Sequence, residues 1–554
     1  MRMVTLAFRR SAIFLENRLL PPSPSLTSPP PRSRFPRHGW LVKSGRHDFA
    51  LCSLEPPRLV GSRSLGKMAA ERYEEANHGR QRNLKKYPVM VFIHGESYEW
   101  NSGNPYDGTV LTAYGNVVFV TINFRLGILG FLRPGTRDDA ASNFGLLDQI
   151  AALLWLRENI AAFGGDPNSV TLVGHGTGAI FANLLLISPV ANNKGTTISL
   201  RYNRIDDSRR IERIREVEAK LASFTRSKFV ERGIRGLFKR AILMSGSALS
   251  ADAIGKAPLQ ITKQVAHALN CPTTTDSDLA LCLRFQDVEA LLNVKIHKPK
   301  YVPAFAPLVD RAVIPDKPIN LMENTQLFGR LVILFDLMYG VTESEKFHIL
   351  PPIALLHGLL DNQRDEILRD HAKATHELEP ELVLSKILEH YGDFYGEFTD
   401  DYATKNRDMV LEALSDSGTV APLIMTANLH SRANPNSYMY VFSHPKAMQD
   451  YSGQQRQQTI HGEELSYVLG VPLDGSKYDL RTRYNIGETL FSEAMMNWWC
   501  SFAYIGYKHT SNVYCSLVGS ISTPISASAR PGKLLYEDYR RKTRKAVQEG
   551  SGKL

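Results

Sequence analysis

No apolar run in this chain reaches the roughly 18 residues that a membrane-spanning helix needs. The longest candidate, 331–341, is short and is interrupted by Asp336. The five cysteines, Cys52, Cys271, Cys282, Cys500 and Cys515, are too scattered for a zinc cluster, and their odd number leaves at least one unpaired. Cys271 and Cys282 are close enough to close a short loop, or to stand as two buried thiols. No Asn-x-Ser/Thr glycosylation acceptor occurs, and Arg9-Arg10 breaks the N-terminal apolar stretch with no clean cleavage site after it, so no secretory signal is read. The pattern G-x-S-x-G, which would mark a serine nucleophile on a strand-to-helix turn, is also missing. The net charge of +10 gathers at the two ends and in one central block, not along one stripe, which argues against a nucleic-acid surface.

What is present is ample core. Of 554 residues, 43% are hydrophobic and 22% charged, ordinary values for a globular protein. Residues 1–86 carry PPSPSLTSPPPRSRFPR and little apolar periodicity, and read as a disordered or unrelated basic, proline-rich leader. From Tyr87 the pattern changes. VMVFI (89–93) and NVVFVTIN (116–123) are continuous apolar β runs, as in strands covered on both faces. Helical spacing follows over 143–162, then VTLVGHGTGA (170–179), then an apolar helix through Leu186. Strand, helix, strand and helix in this order predict an α/β domain with a mostly parallel sheet flanked by helices. The arginine-rich block 192–234 interrupts it as a probable insertion, before the β pattern resumes at KRAILM (239–244). Short helices are expected over 260–269 and 289–294, a mostly helical region over 382–430, a late strand over 437–443, and an amphipathic helix over 488–504. The tail 508–554 reads as unstructured and basic.

The stretch Gly174-His175-Gly176-Thr177-Gly178 has the layout of a nucleophile elbow with glycine in the serine's place. Acyl transfer also needs an acid and a histidine later in the chain, and backbone donors for the oxyanion. Glu345 and His461 follow in that order.

Several blocks together resemble the cholinesterase-type carboxylesterase family and, within it, the neuroligins, the insect members nearest. They are VMVFIHGESYEWNSGNPYDG (89–108), TINFRLGILGFL (121–132), NFGLLDQIAALLWLRENIAAFGGDPNSVTLVGHGTGA (143–179), GLFKRAILMSGSALS (236–250) and HGEELSYVLGVPL (461–473). The resemblance covers 87–507 and implies an α/β-hydrolase fold. It implies that Gly176, Glu345 and His461 stand at degenerate triad positions, and Gly95, Glu96 and Ser97 at degenerate oxyanion positions. It thus implies a catalytically inactive protein that adheres at synapses by binding a neurexin-type partner. The rival reading, an active carboxylesterase, is disfavoured by Gly176. The family also implies a Cys271–Cys282 disulfide, a homodimer through the C-terminal helix, calcium at the partner interface with no other cofactor or metal, and a cell-surface location. Glu343 and Glu345 become candidate partner contacts. Against the family pattern, the N-terminal edge of the sheet looks incomplete, and the departures fit a shortened or rearranged form of a longer chain.

Overall fold

A computed structural model describes residues 86–135, 142–192, 236–324, 335–375, 379–395, 402–444, 458–474 and 484–506, and the backbone of three strands before them. The expected leader side chains, the insertion 192–234 beyond its first residue, 331–334 and the tail lie outside the described residues. The chain divides into two compact units. In Leu6–Lys85, strands β2 (Trp40–Ser44) and β3 (Asp48–Cys52) pair antiparallel, with Trp40 opposite Cys52.

The larger unit is built on a sheet of order β1-β5-β4-β6-β7-β8-β9. Strand β1 is Met3–Ala7. The six others are β4 (Tyr87–Ile93), β5 (Val118–Asn123), β6 (Gly165–His175), β7 (Arg240–Met244), β8 (Asp336–Thr342) and β9 (Ser437–Phe442). These six run parallel throughout. Their continuous apolar runs are explained by burial on both faces: Val89 to Ile93 and Ala241 to Met244 are almost wholly inaccessible.

The helices match the expected spacing closely. Helix α1 (Phe144–Asn159) buries Leu146, Ile150, Leu153 and Leu156, and α2 (Thr177–Ile187) is buried at every residue. A helix with no solvent face belongs in the core, and α2 packs between β6 and the rest of the domain. The region read as mostly helical resolves into α3 (Pro380–Tyr395), α4 (Tyr402–Ser415) and α5 (Ala421–Ala433), the last two joined by a π turn at Asp416–Val420. The final helix, α6 (Ile486–Ile505), starts on a capping box in which Asn485 accepts from the Glu488 amide and Glu488 accepts from the Asn485 amide. Its buried face brings Trp499 and Phe502 into one apolar cluster with Tyr440, Phe119 and Met90.

One strand has no counterpart among the sequence expectations. β8 opens on Asp336 and contains Gly340. The glycine is structural: a Cβ there would come 2.3 Å from the Tyr440 ring, which lies over it from the neighbouring strand.

The registers bring the strand ends to one level. Ile93 lies opposite Gly174, His175 opposite Met244, Met244 opposite Gly340, and Thr342 opposite Phe442. The loops carrying 94–97, 176, 245, 343–345 and 459–464 therefore leave the sheet along its carboxyl edge, where open α/β sheets hold their sites. A parallel bridge from Ser344 to Ile460 ties the last two loops together.

Candidate functional site

The turn between β6 and α2 is formed by Gly176 at φ 55°, ψ −121°. Its N–H donates to the Met244 carbonyl at 2.9 Å, and its own carbonyl accepts from Ala179 and Ile180. Neighbouring glycines are forced by contact: a Cβ at Gly174 would sit 2.2 Å from the Gly178 carbonyl oxygen, one at Gly178 2.0 Å from that of Ile93, and one at Gly95 1.8 Å from that of His175. Gly176 is different. A Cβ there would meet only His461 Nε2 at 3.3 Å and the Glu96 amide nitrogen at 3.4 Å. The space for a side chain is present, and the positive φ is the obstacle, worth about 1–3 kcal/mol of strain for any other residue.

Behind Gly176, Glu345 and His461 are joined. Glu345 Oε2 lies 2.6 Å from His461 Nδ1, while Oε1 accepts from Ser245 Oγ at 2.8 Å and the Thr342 amide at 2.7 Å. Burial pushes the Glu345 carboxyl up, but His461 and these donors outweigh it and hold it below the usual range. Glu345 is fully buried, which corrects its reading as a partner contact: every one of its bonds points inward. Glu343 is half-buried, and its carboxylate accepts from Ser443 Oγ and the Thr459 amide.

The oxyanion segment departs from a simple loss. Gly95 and the Glu96 backbone stay close to the turn, and Ser97 Oγ accepts from the Glu99 amide at 3.0 Å. The change lies in the Glu96 side chain, which at φ 76° folds back over the elbow. Glu96 Oε2 lies 3.2 Å from His461 Nε2, the nitrogen that a serine would address, and Oε1 lies 2.7 Å from His175 Nδ1. On the far side, His175 Nε2 lies 3.2 Å from Glu464 Oε1. That approach is close enough for an ion pair but is not aligned as a hydrogen bond, and both Glu464 oxygens lack a hydrogen-bond partner among the described residues.

The result is a chain of five groups, Glu345, His461, Glu96, His175 and Glu464, alternating acid and imidazole. Its electrostatics follow from that alternation. Burial alone would lower His175, yet Glu464 and Glu96 on either side raise it to about 10. Burial and the charge of His175 also act to lower His461, and Glu345 and Glu96 together overcome them and raise it. Burial would raise Glu96, but the two imidazoles hold it far below the ordinary carboxylate range. His348, whose ring lies 5.8 Å from that of His461, is pushed down to about 4 by burial and the charges of His461 and Lys346. A cleft of about 320 Å³, lined by Glu96, Thr177, Trp100, Asp252 and Tyr301, leads from Glu96 to solvent.

Sequence reasoning missed His175 and Glu464. The signal was available in part: two further titratable residues stand inside the motifs GHG and HGEE. Elsewhere Cys271 and Cys282 form the expected disulfide, and Cys500 is a buried free thiol. No helix among the described residues is long and apolar enough to cross a membrane.

Comparison with known proteins agrees with this architecture. The profile of the Carboxylesterase family matches residues 74–198 and 222–525. Mouse neuroligin-2 is 32% identical over 429 residues, 77% of this chain and 45% of the mouse protein. Human neuroligin-3 is 32% identical over 76% of this chain and 43% of its own length. Neuroligin-1 of Caenorhabditis elegans is 31% identical over 76% of this chain and 49% of its own. The chain thus spans about half the length of the curated relatives it matches. By its parallel sheet, its elbow and these matches, the chain belongs to the carboxylesterase family, and within that family it is similar to the neuroligins.

Proposed function

We propose that this chain is a catalytically inactive, cholinesterase-like adhesion protein that acts at synaptic cell surfaces by binding a neurexin-type partner. One observation carries the loss of catalysis: at Gly176 there is no oxygen to attack a carbonyl, and the Glu96 carboxylate stands against His461 Nε2 instead. Removal of a nucleophile leaves on the order of 10³–10⁴-fold residual catalysis from the oxyanion donors and binding. Here a negative side chain shares the space where negative charge would develop, which opposes even that remainder. The neuroligin-like matches support adhesion as the alternative use of the scaffold.

Within this reading the chain pairs with a second copy through α6. Ile486, Leu490 and Ile505 are 81%, 60% and 55% exposed on a helix whose other face is core. The partner meets the surface beside the half-buried Glu343, with calcium bridging. The test is surface plasmon resonance of the full chain against a neurexin-type ectodomain, with calcium and with a chelator, beside hydrolysis of aryl and choline esters. Calcium-dependent binding without turnover is expected. Ester turnover with organophosphate labelling would refute the inactive reading, and absence of binding in both conditions would refute the adhesion reading.

A further inference from the structure

The unexplained feature of the site is that the vacated pocket has been filled with ligating groups. Glu96, His175 and His461 each present one ligand atom, and these atoms lie within 4.8 Å of one another. We propose that Glu96, His175 and His461 form a binding site for a divalent transition-metal ion of the zinc class. Glu96 supplies a carboxylate oxygen, His175 its Nδ1 and His461 its Nε2. A fourth position is left for water at the mouth of the cleft.

Three observations converge on this assignment. The first is the donor set. Two imidazoles and one carboxylate suit zinc and its first-row neighbours, and three protein ligands with one open position are the arrangement of accessible zinc sites. The second is distance. Metal–ligand bonds of about 2.0–2.1 Å in a tetrahedron set ligand atoms about 3.3 Å apart. Glu96 Oε2 stands 3.2 Å from His461 Nε2 and Glu96 Oε1 2.7 Å from His175 Nδ1, so the carboxylate straddles the two rings, and it must shift for the three ligand atoms, now within 4.8 Å of one another, to close on one ion. Glu96 has that freedom, because its side chain is 31% exposed while His175 is held at 1%.

The third observation concerns the outer ring nitrogens. Metal-bound imidazoles characteristically direct their other nitrogen to a carboxylate, which orients the ring. His461 does so here, with Nδ1 2.6 Å from Glu345, and His175 has a carboxylate on the same side, with Nε2 3.2 Å from Glu464 though not aligned as a hydrogen bond. Glu464 is the more informative, because it is 1% exposed and its oxygens have no hydrogen-bond partner among the described residues, although Oε1 lies 3.2 Å from His175 Nε2. A pair that served only as a hydrogen-bonded plug would not need this second carboxylate. The ion would take the place of the protons that now bridge Glu96 to the two rings, and it would enter along the 320 Å³ cleft that Glu96 lines.

The full chain, stripped with a chelator and dialysed, would be titrated with zinc alone by calorimetry and its retained metal counted by mass spectrometry. Cobalt(II) substitution would report coordination through its visible spectrum. One metal per chain and a four-coordinate cobalt spectrum are expected. Glu96→Gln and His461→Gln should each remove retained zinc, Glu345→Gln should weaken binding about 10–100-fold as an orienting carboxylate does, and His348→Gln should leave it unchanged. Folding of each variant would be checked by circular dichroism. The proposal is overturned if the folded wild-type chain retains no zinc, or if folded Glu96→Gln retains as much as wild type.

Discussion

Replacing Gly176 by serine restores the one atom that the elbow lacks, and so tests whether Glu96 is a second, independent block. The added Cβ falls 3.3 Å from His461 Nε2 and 3.4 Å from the Glu96 amide, so it fits with small shifts. The hydroxyl then competes with Glu96 Oε2, already 3.2 Å from the same nitrogen. The backbone at φ 55°, ψ −121° adds about 1–3 kcal/mol of strain once a side chain is present. At roughly 1 °C per kcal/mol for a domain of this size, the single variant should melt about 1–3 °C lower. It should also stay unreactive, because its base is engaged and a carboxylate shares the oxyanion space. Gly176→Ser combined with Glu96→Gly frees His461 and relieves the positive φ at 96. The double variant should therefore label with a fluorophosphonate at residue 176 and release p-nitrophenol slowly from an aryl ester. Labelling read by mass spectrometry and initial rates by absorbance decide the matter. If Gly176→Ser alone reacts as fast as the double variant, Glu96 is no block and the reasoning about the filled pocket fails.

Other consequences are open to measurement. Glu345→Gln removes the buried acid from His461 and should cost about 3–5 kcal/mol in chemical denaturation, the usual penalty for breaking a buried pair; a loss below 1 kcal/mol would show that the pair is not coupled to folding. For pH, His175 is raised from its ordinary value of about 6.5 to about 10, so its contribution is complete below pH 6.5 and fades as pH rises toward 10. His94, His348 and His430 are lowered to about 4, so their contribution is complete above pH 6.5 and is lost as pH falls toward 4. Stability should peak near pH 6.5, and His175→Gln should flatten the alkaline limb of a melting-temperature profile; an unchanged limb would contradict the assigned cause. If the proposed pairing through α6 holds, Leu490→Asp on its exposed face should convert dimer to monomer in sedimentation with little change in melting temperature, whereas Trp499→Ala on its buried face should cost about 3–5 kcal/mol.

Much of this protein was legible in its residue order. Continuous apolar runs at 89–93 and 241–244 pointed to strands covered on both sides, and the helical spacing after Asn143 to a crossover. A glycine at 176 in the elbow frame is a statement about chemistry that needs no coordinates. Strand β8 escaped because its polar start and its glycine disguise it, and Gly340 makes sense only once the Tyr440 ring is seen across it.

The filled pocket belongs to the tertiary structure alone. Glu96, His175, Glu345 and the segment His461–Glu464 come from four separate stretches of the chain, and no one stretch contains the others' positions. Parallel registers carry the loops to one edge of the sheet, and the Ser344–Ile460 bridge joins the acid loop to the base loop. From the sequence, Glu345 was as plausible a surface contact as Glu343; burial separated them, because Glu345 is wholly enclosed and its desolvation is offset by His461, Ser245 and the Thr342 amide, whereas Glu343 stays half-buried. Residue identity determined that a glycine stands at 176. Packing decided what surrounds it, since a side chain's partners depend on distances that the order of residues does not contain.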